Sequence, residues 1–188
     1  MNNRKVYISG EIVPEVDAKI SIFDSAVLLG DTVTESTRTF NFKPFKLDEH
    51  LERLYKSFKL TRIDPQMTID EMKKVSLELL EINKDNYKAN EDCWLVHNIS
   101  RGHSITGGNP ALQVSKPTIM IYTQPMNLVS WAPFYRKGCH AVTPPTRMVP
   151  SQSLDARIKN RSRLFYTLAE IEAKLVDPDA QSVILDIH

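Results

Sequence analysis

The chain has 188 residues, 41% of them hydrophobic and 25% charged, with a formal net charge of +1. That length allows one ordinary domain, or a small domain with part of another, and a core that needs no cross-links. The near-zero charge gives no overall field to gather nucleic acid or an anionic membrane, and neither a signal core nor a run long enough to span a bilayer is legible.

In chain order, KVYISG alternates apolar and polar residues and predicts a strand, which Gly10 turns into EIVPEV as an opening hairpin. DTVTESTRTF is rich in β-branched residues and reads as a strand. Thr34, Ser36 and Arg38 share one of its faces, and Val33, Glu35 and Thr37 the other. Asn41–Pro44 supplies a turn, and PFKL returns as a partner strand. Asp48 is placed to cap the helix EHLERLYKSFKL, whose Leu51, Leu54, Tyr55 and Phe58 lie on one face; Pro65 closes that unit. Thr68 and Glu71 predict a capping box for a second helix, TIDEMKKVSLELLEINK. CWLVHNIS and PTIMIYTQP read as strands separated by the loop RGHSITGGNP. NLVSWAPFYRKG reads as a connector and CHAVTPPTRMV as an extended segment. SRLFYTLAEIEAKL then predicts a helix, and SVILDIH a buried-type strand. The order predicts an α+β fold, with residues 1–125 as an N-terminal domain, 126–138 as a connector and 139–188 as the start of a C-terminal domain.

The two cysteines, Cys93 and Cys139, lack CxxC spacing, which argues against a zinc site or a disulfide framework and for a reducing, cytoplasmic setting. The stretch DARIKNRSR sets Lys159 among Arg157, Arg161 and Arg163, just before a helix start. Neighbouring cations favour the neutral amine that Schiff-base chemistry with an aldehyde requires. The competing reading is a solvated basic turn. Arg53, on a helix face, could hold a phosphate bidentately or pair with Glu49, and His50 could be a ligand or a packing residue. Thr34, Glu35 and Arg38 lie on a strand that could line a pocket or face water. Arg101 ends a strand, where it could grip a carboxylate or close a loop-edge salt bridge. No GxSxG, P-loop, HExxH or paired-carboxylate motif competes.

Taken in order, VYISGEIV, AKISIFDSAVLLGDTVTESTRTFNFKPFKLDEHLERLYKS, NISRG, DARIKN and DPDAQSVILD resemble the class IV aminotransferases, the fold type IV family of pyridoxal-phosphate (PLP) enzymes. The resemblance runs over nearly the whole chain. It implies PLP as cofactor, Lys159 as the Schiff-base lysine and proton carrier, and Arg53 as the ligand of the cofactor phosphate. It also implies a homodimer, amino acid and 2-oxo acid substrates, and a branched-chain-like specificity. The family's alternatives are an aminodeoxychorismate lyase activity and D-amino-acid or (R)-amine transamination. Leu164 stands where branched-chain enzymes of the family carry a tyrosine, and Thr106 where the D-amino-acid branch carries a carboxylate-trapping arginine. Val33-Thr34-Glu35 replaces the family's VFE or VYE. The chain ends at His188, before the family's GxxxEG-type segment whose glutamate pairs with the pyridine nitrogen. A truncated sequence is the expectation, with a non-catalytic binding or assembly module as the reading of another class.

Overall fold

The structure, a computed structural model, describes residues 3–88, 91–104 and 115–187. Contacts divide it into two units, Met1–Met126 with Ile158–Arg161, and Asn127–Arg157 with Ser162–His188.

The first unit contains β1 (Lys5–Ile8), β2 (Glu11–Pro14), α1 (Ser25–Leu28), β3 (Thr32–Phe40), β4 (Lys43–Pro44), α2 (Leu47–Thr61), α3 (Ile69–Asn83), β5 (Cys93–Ser100) and β6 (Thr118–Pro125). Six strands form one antiparallel sheet in the order β2-β1-β6-β5-β3-β4. Strand alternation sends Val33, Leu95, Ile99 and Ile121 into the core, where they meet Leu51, Leu54 and Phe58 of α2 and Met72 and Leu79 of α3. Each side chain of this size contributes roughly 1.5–3 kcal/mol when fully buried. The amphipathic spacing of α2 and α3 therefore does more for this unit than helix propensity alone.

Local signals account for some element ends. Thr68 and Glu71 close the expected capping box, with Thr68 N–H donating to Glu71 Oε2 at 2.8 Å. Helix α2 departs from its predicted start. It begins at Leu47 after Lys46 in the left-handed region, so Asp48 lies in the first turn and favours the helix dipole without capping it. At the other end Arg62, also left-handed at φ 55°, stops the helix before Pro65 is reached.

The second unit holds α4 (Leu128–Trp131), α5 (Phe134–Lys137), β7 (Ala141–Val142), α6 (Leu164–Val176) and β8 (Gln181–Ser182). Of the predicted strand SVILDIH only Ser182 is in a strand, the two-residue β8 that pairs in parallel with β7, and Val183, Leu185 and Ile187 are exposed. Ile158–Arg161 lies by number within the 139–188 segment but belongs by contact to the first unit. The reason is a backbone bridge: Thr34 N–H donates to Lys159 O at 2.8 Å, and Arg161 N–H donates to Thr32 O at 2.9 Å. Among the described residues no helix is long and apolar enough to cross a membrane, and no His/Cys/Asp/Glu group is arranged to hold a metal ion.

Candidate functional site

Helix α2 presents His50, Arg53 and Ser57 at spacings of three and four residues, which places them along one side. Glu35 of β3, fully buried at 0% exposure, meets that side. Arg53 grips it at two points: Nε donates to Oε2 at 2.7 Å and Nη2 donates to Oε1 at 2.6 Å. His50 Nδ1 lies 3.0 Å from Glu35 Oε1 and 3.3 Å from Arg53 Nη2. Its tautomer decides whether it donates to the carboxylate or accepts from the guanidinium. Ser36 N–H adds a bond to Oε1 at 2.9 Å. Burial pushes the Glu35 carboxyl up, and this is the largest single effect. The bonds from Arg53, the Ser36 N–H and His50 together outweigh it and hold the group below its ordinary range. The same contact raises the Arg53 pKa.

His97 is the cross-strand partner of Glu35. The Ser76 hydroxyl donates to Met72 O at 2.7 Å, so its oxygen is left to accept from His97 Nε2–H at 2.8 Å. Nδ1 then carries the lone pair, buried and without a partner. Burial lowers the His97 pKa to about 4, with the Glu35 charge opposing that shift, and the ring is neutral near pH 7.

Lys159 reaches this neighbourhood through its backbone. Besides the Thr34 bond, its N–H donates to Ser57 Oγ at 3.3 Å, and Ser57 in turn donates to the Arg53 carbonyl at 3.2 Å. One serine hydroxyl thus ties the lysine segment to the turn of helix that carries Arg53. Asn160 bridges Val33, and Ile158 packs against the core, which fixes the segment on both sides of the lysine.

Of the residues singled out in the sequence, Thr34, Arg53 and Lys159 are brought together. The Thr34 hydroxyl is buried and donates to His97 O at 2.9 Å, so this residue holds the lysine segment through its N–H. Arg38 lies four residues further along β3, about 13 Å away at strand rise. There its guanidinium stacks 3.7 Å from the Phe40 ring centroid. Arg101 is committed elsewhere: two of its nitrogens contact Asp31 at 2.8 and 3.3 Å, and it donates to the Thr61 and Arg62 carbonyls at the end of α2. The loop-edge salt bridge is therefore the arrangement observed for Arg101. Thr106 lies outside the described residues. Glu35, His50 and Ser57 complete the cluster. The spacing of His50, Arg53 and Ser57 on α2 is legible in the sequence, but the identity of the strand residue facing them is not.

The residues fit a phosphorylated, aldehyde-bearing cofactor. Arg53 is 51% exposed, and its Nη1 takes no part in the Glu35 contact, so donors remain for an anion. Lys159 supplies a primary amine on a backbone held at three points. Cys93, by contrast, is a buried thiol pushed up to about 11 by burial, which suits packing and not nucleophilic attack.

A family model described as class IV amino-transferase matches residues 32–188. A putative branched-chain-amino-acid aminotransferase from Methanocaldococcus jannaschii is 35% identical over 182 residues, covering 97% of this chain and 59% of its own. A D-alanine aminotransferase from Staphylococcus epidermidis is 32% identical over 120 residues, 64% of this chain and 41% of its own. Among solved structures, a branched-chain amino acid aminotransferase from Escherichia coli superposes with a TM-score of 0.86 at 22% identity, over 98% of this chain and 60% of that one. A branched-chain aminotransferase from the thermophilic archaeon Thermoproteus uzoniensis, solved with norvaline, gives 0.78 at 23% identity, over 98% of this chain and 60% of that one. The chain thus spans about 59% of the length of the first of these relatives.

Proposed function

Because the chain belongs to the class IV aminotransferase family, we propose that it carries the lysine and phosphate-anchoring elements of a PLP-dependent transaminase. The reaction would move an amino group between an amino acid, branched-chain-like, and a 2-oxo acid. The observation that carries this reading is the Ser57 hydroxyl, which bonds both the Arg53 carbonyl and the Lys159 N–H and so couples the two groups such a cofactor needs.

When bound, PLP supplies an electron sink for the bond broken at the substrate Cα. The chain's own residues have distinct tasks in this proposal. Arg53 binds the phosphate with the donors that Glu35 leaves unused, and Glu35 holds the guanidinium in one orientation. The Lys159 amine would hold the cofactor through its aldehyde carbon until the substrate amine takes its place, and the amine so freed would move the proton at the substrate Cα. Thr34 and Ser57 position that lysine from its backbone. A homodimer and a cytoplasmic setting belong to the same proposal.

The test is incubation with PLP, borohydride reduction and peptide mass mapping. A pyridoxyl adduct at Lys159, absent in Lys159→Ala, supports the reading. Scattered labelling of surface lysines, or none, defeats it for this chain. Product analysis separates transamination (a new amino acid and a 2-oxo acid) from lyase chemistry, which releases pyruvate.

A further inference from the structure

Arg38 and Arg101, the two cations that the sequence offers for substrate binding, are both engaged in contacts of the fold. Arg161 is placed differently. Its backbone N–H is fixed on Thr32 O at 2.9 Å, while its exposed side chain makes no hydrogen bond or ion pair among the described residues. It lines a recess of about 160 Å³ together with Ala26, Gly30, Thr32, Asn98 and Met120. Ala26 and Gly30 carry too little bulk to fill the space, and Met120 supplies an apolar wall. Asn98 supplies a polar one. One end of its amide is bonded to Tyr122 Oη at 3.1 Å, and the other is buried with no partner.

Lys159 and Arg161 flank Asn160, the residue bridged to Val33, and strand alternation gives both the side of Thr32 and Thr34. Their Cα atoms are about 7 Å apart at strand rise, a span two long side chains close easily on one small molecule. A solvated surface arginine is the ordinary role for an exposed guanidinium. The recess and the adjacent lysine set this one apart.

We propose that Arg161 is the substrate-binding residue that holds a carboxylate of the amino acid or 2-oxo acid. This rests on the transaminase reading for the identity of the substrate, while the carboxylate contact itself is a property of the recess.

The test is calorimetric titration with 4-methylvalerate, a carboxylate that has no amino group to transfer, with and without PLP. The neutral 4-methylvaleramide serves as control. The unmodified chain should bind the acid saturably and the amide more weakly. Arg161→Gln should weaken acid binding about tenfold or more, the scale of a lost hydrogen bond to a charged group, and Arg161→Lys should recover part of it. Far-ultraviolet circular dichroism checks that the variants, altered at an exposed side chain, keep the fold. No saturable binding, equal binding of acid and amide, or an unchanged dissociation constant in Arg161→Gln overturns the assignment. Borohydride labelling is read in parallel. Intact labelling at Lys159 with lost acid affinity in Arg161→Gln supports the proposal. Failure of Lys159 labelling in the unmodified chain defeats the transaminase reading, and the acid–amide comparison still decides Arg161.

Discussion

Glu35 and Arg53 meet in a two-point contact, 2.6 and 2.7 Å, in which the carboxylate is fully buried and the guanidinium is half exposed. That asymmetry decides what the pair can do. The acid has no route to water and depends on its donors, whereas the arginine keeps a solvent-facing side with which to bind an anion.

Glu35→Gln should therefore cost about 2–3 kcal/mol of stability. This lies just below the range for breaking a buried ion pair, because the arginine left behind can be rehydrated. The Glu35 pKa is depressed in the folded state, so its contribution is present above the ordinary carboxylate range and lost as pH falls through the folded value. Urea unfolding at pH 7 and at pH 3 should show the difference between wild type and Glu35→Gln shrinking at the lower pH. Inorganic phosphate titration of the same variant should show weaker binding. Equal phosphate affinity would leave Glu35 as a structural partner only.

His97 gives a second pH effect in a different window. Its folded pKa of about 4 lies below the ordinary value, so between about pH 6.5 and 4 the unfolded chain takes up a proton that the folded chain refuses. Stability should fall by about 3 kcal/mol as pH drops across that window and level off below it. His97→Gln keeps a donor for Ser76 and removes the titration, so its unfolding free energy should lose that slope between pH 6.5 and 4. A slope identical in the two proteins would contradict the assignment.

Arg101→Ala should destabilise by about 2–4 kcal/mol, because it strands Asp31 and leaves the Thr61 and Arg62 carbonyls without their donor. Arg101→Lys should recover little, since an ammonium cannot reproduce the forked contact. Where the fold is retained, 4-methylvalerate affinity should stay within about twofold of wild type, well inside the loss expected for a hydrogen bond to a charged group. A large loss of affinity at unchanged stability would return Arg101 to the substrate.

Gly102, directly after Arg101, has φ +94°, and a Cβ there would stand 1.9 Å from the Lys116 carbonyl oxygen. Gly102→Ala must move backbone and not merely a side chain, so a loss above about 2 kcal/mol is expected in the free energy of unfolding measured in urea.

What the sequence determined by itself was local. The spacing of Leu51, Leu54 and Phe58 marked the buried face of α2, and the Thr68–Glu71 pair marked the start of α3, because each is settled within one or two turns of the same helix. The order of motifs likewise carried the family, and with it Lys159 and Arg53 as the residues to examine. The partners of those residues were not legible. Strand alternation could say that Glu35 and Thr34 face opposite ways, but not that α2 would bury the acid or that the lysine segment would bridge to Thr34, 125 residues earlier in the chain. The arginines show the same limit most plainly. Arg38, Arg53, Arg101 and Arg161 carry the same charge in the sequence. One stacks on Phe40 within its own strand, but only tertiary contacts lock one to Asp31, pair one with a buried glutamate and leave one facing a recess, since the energy of a charge depends on its partners and its exposure to water.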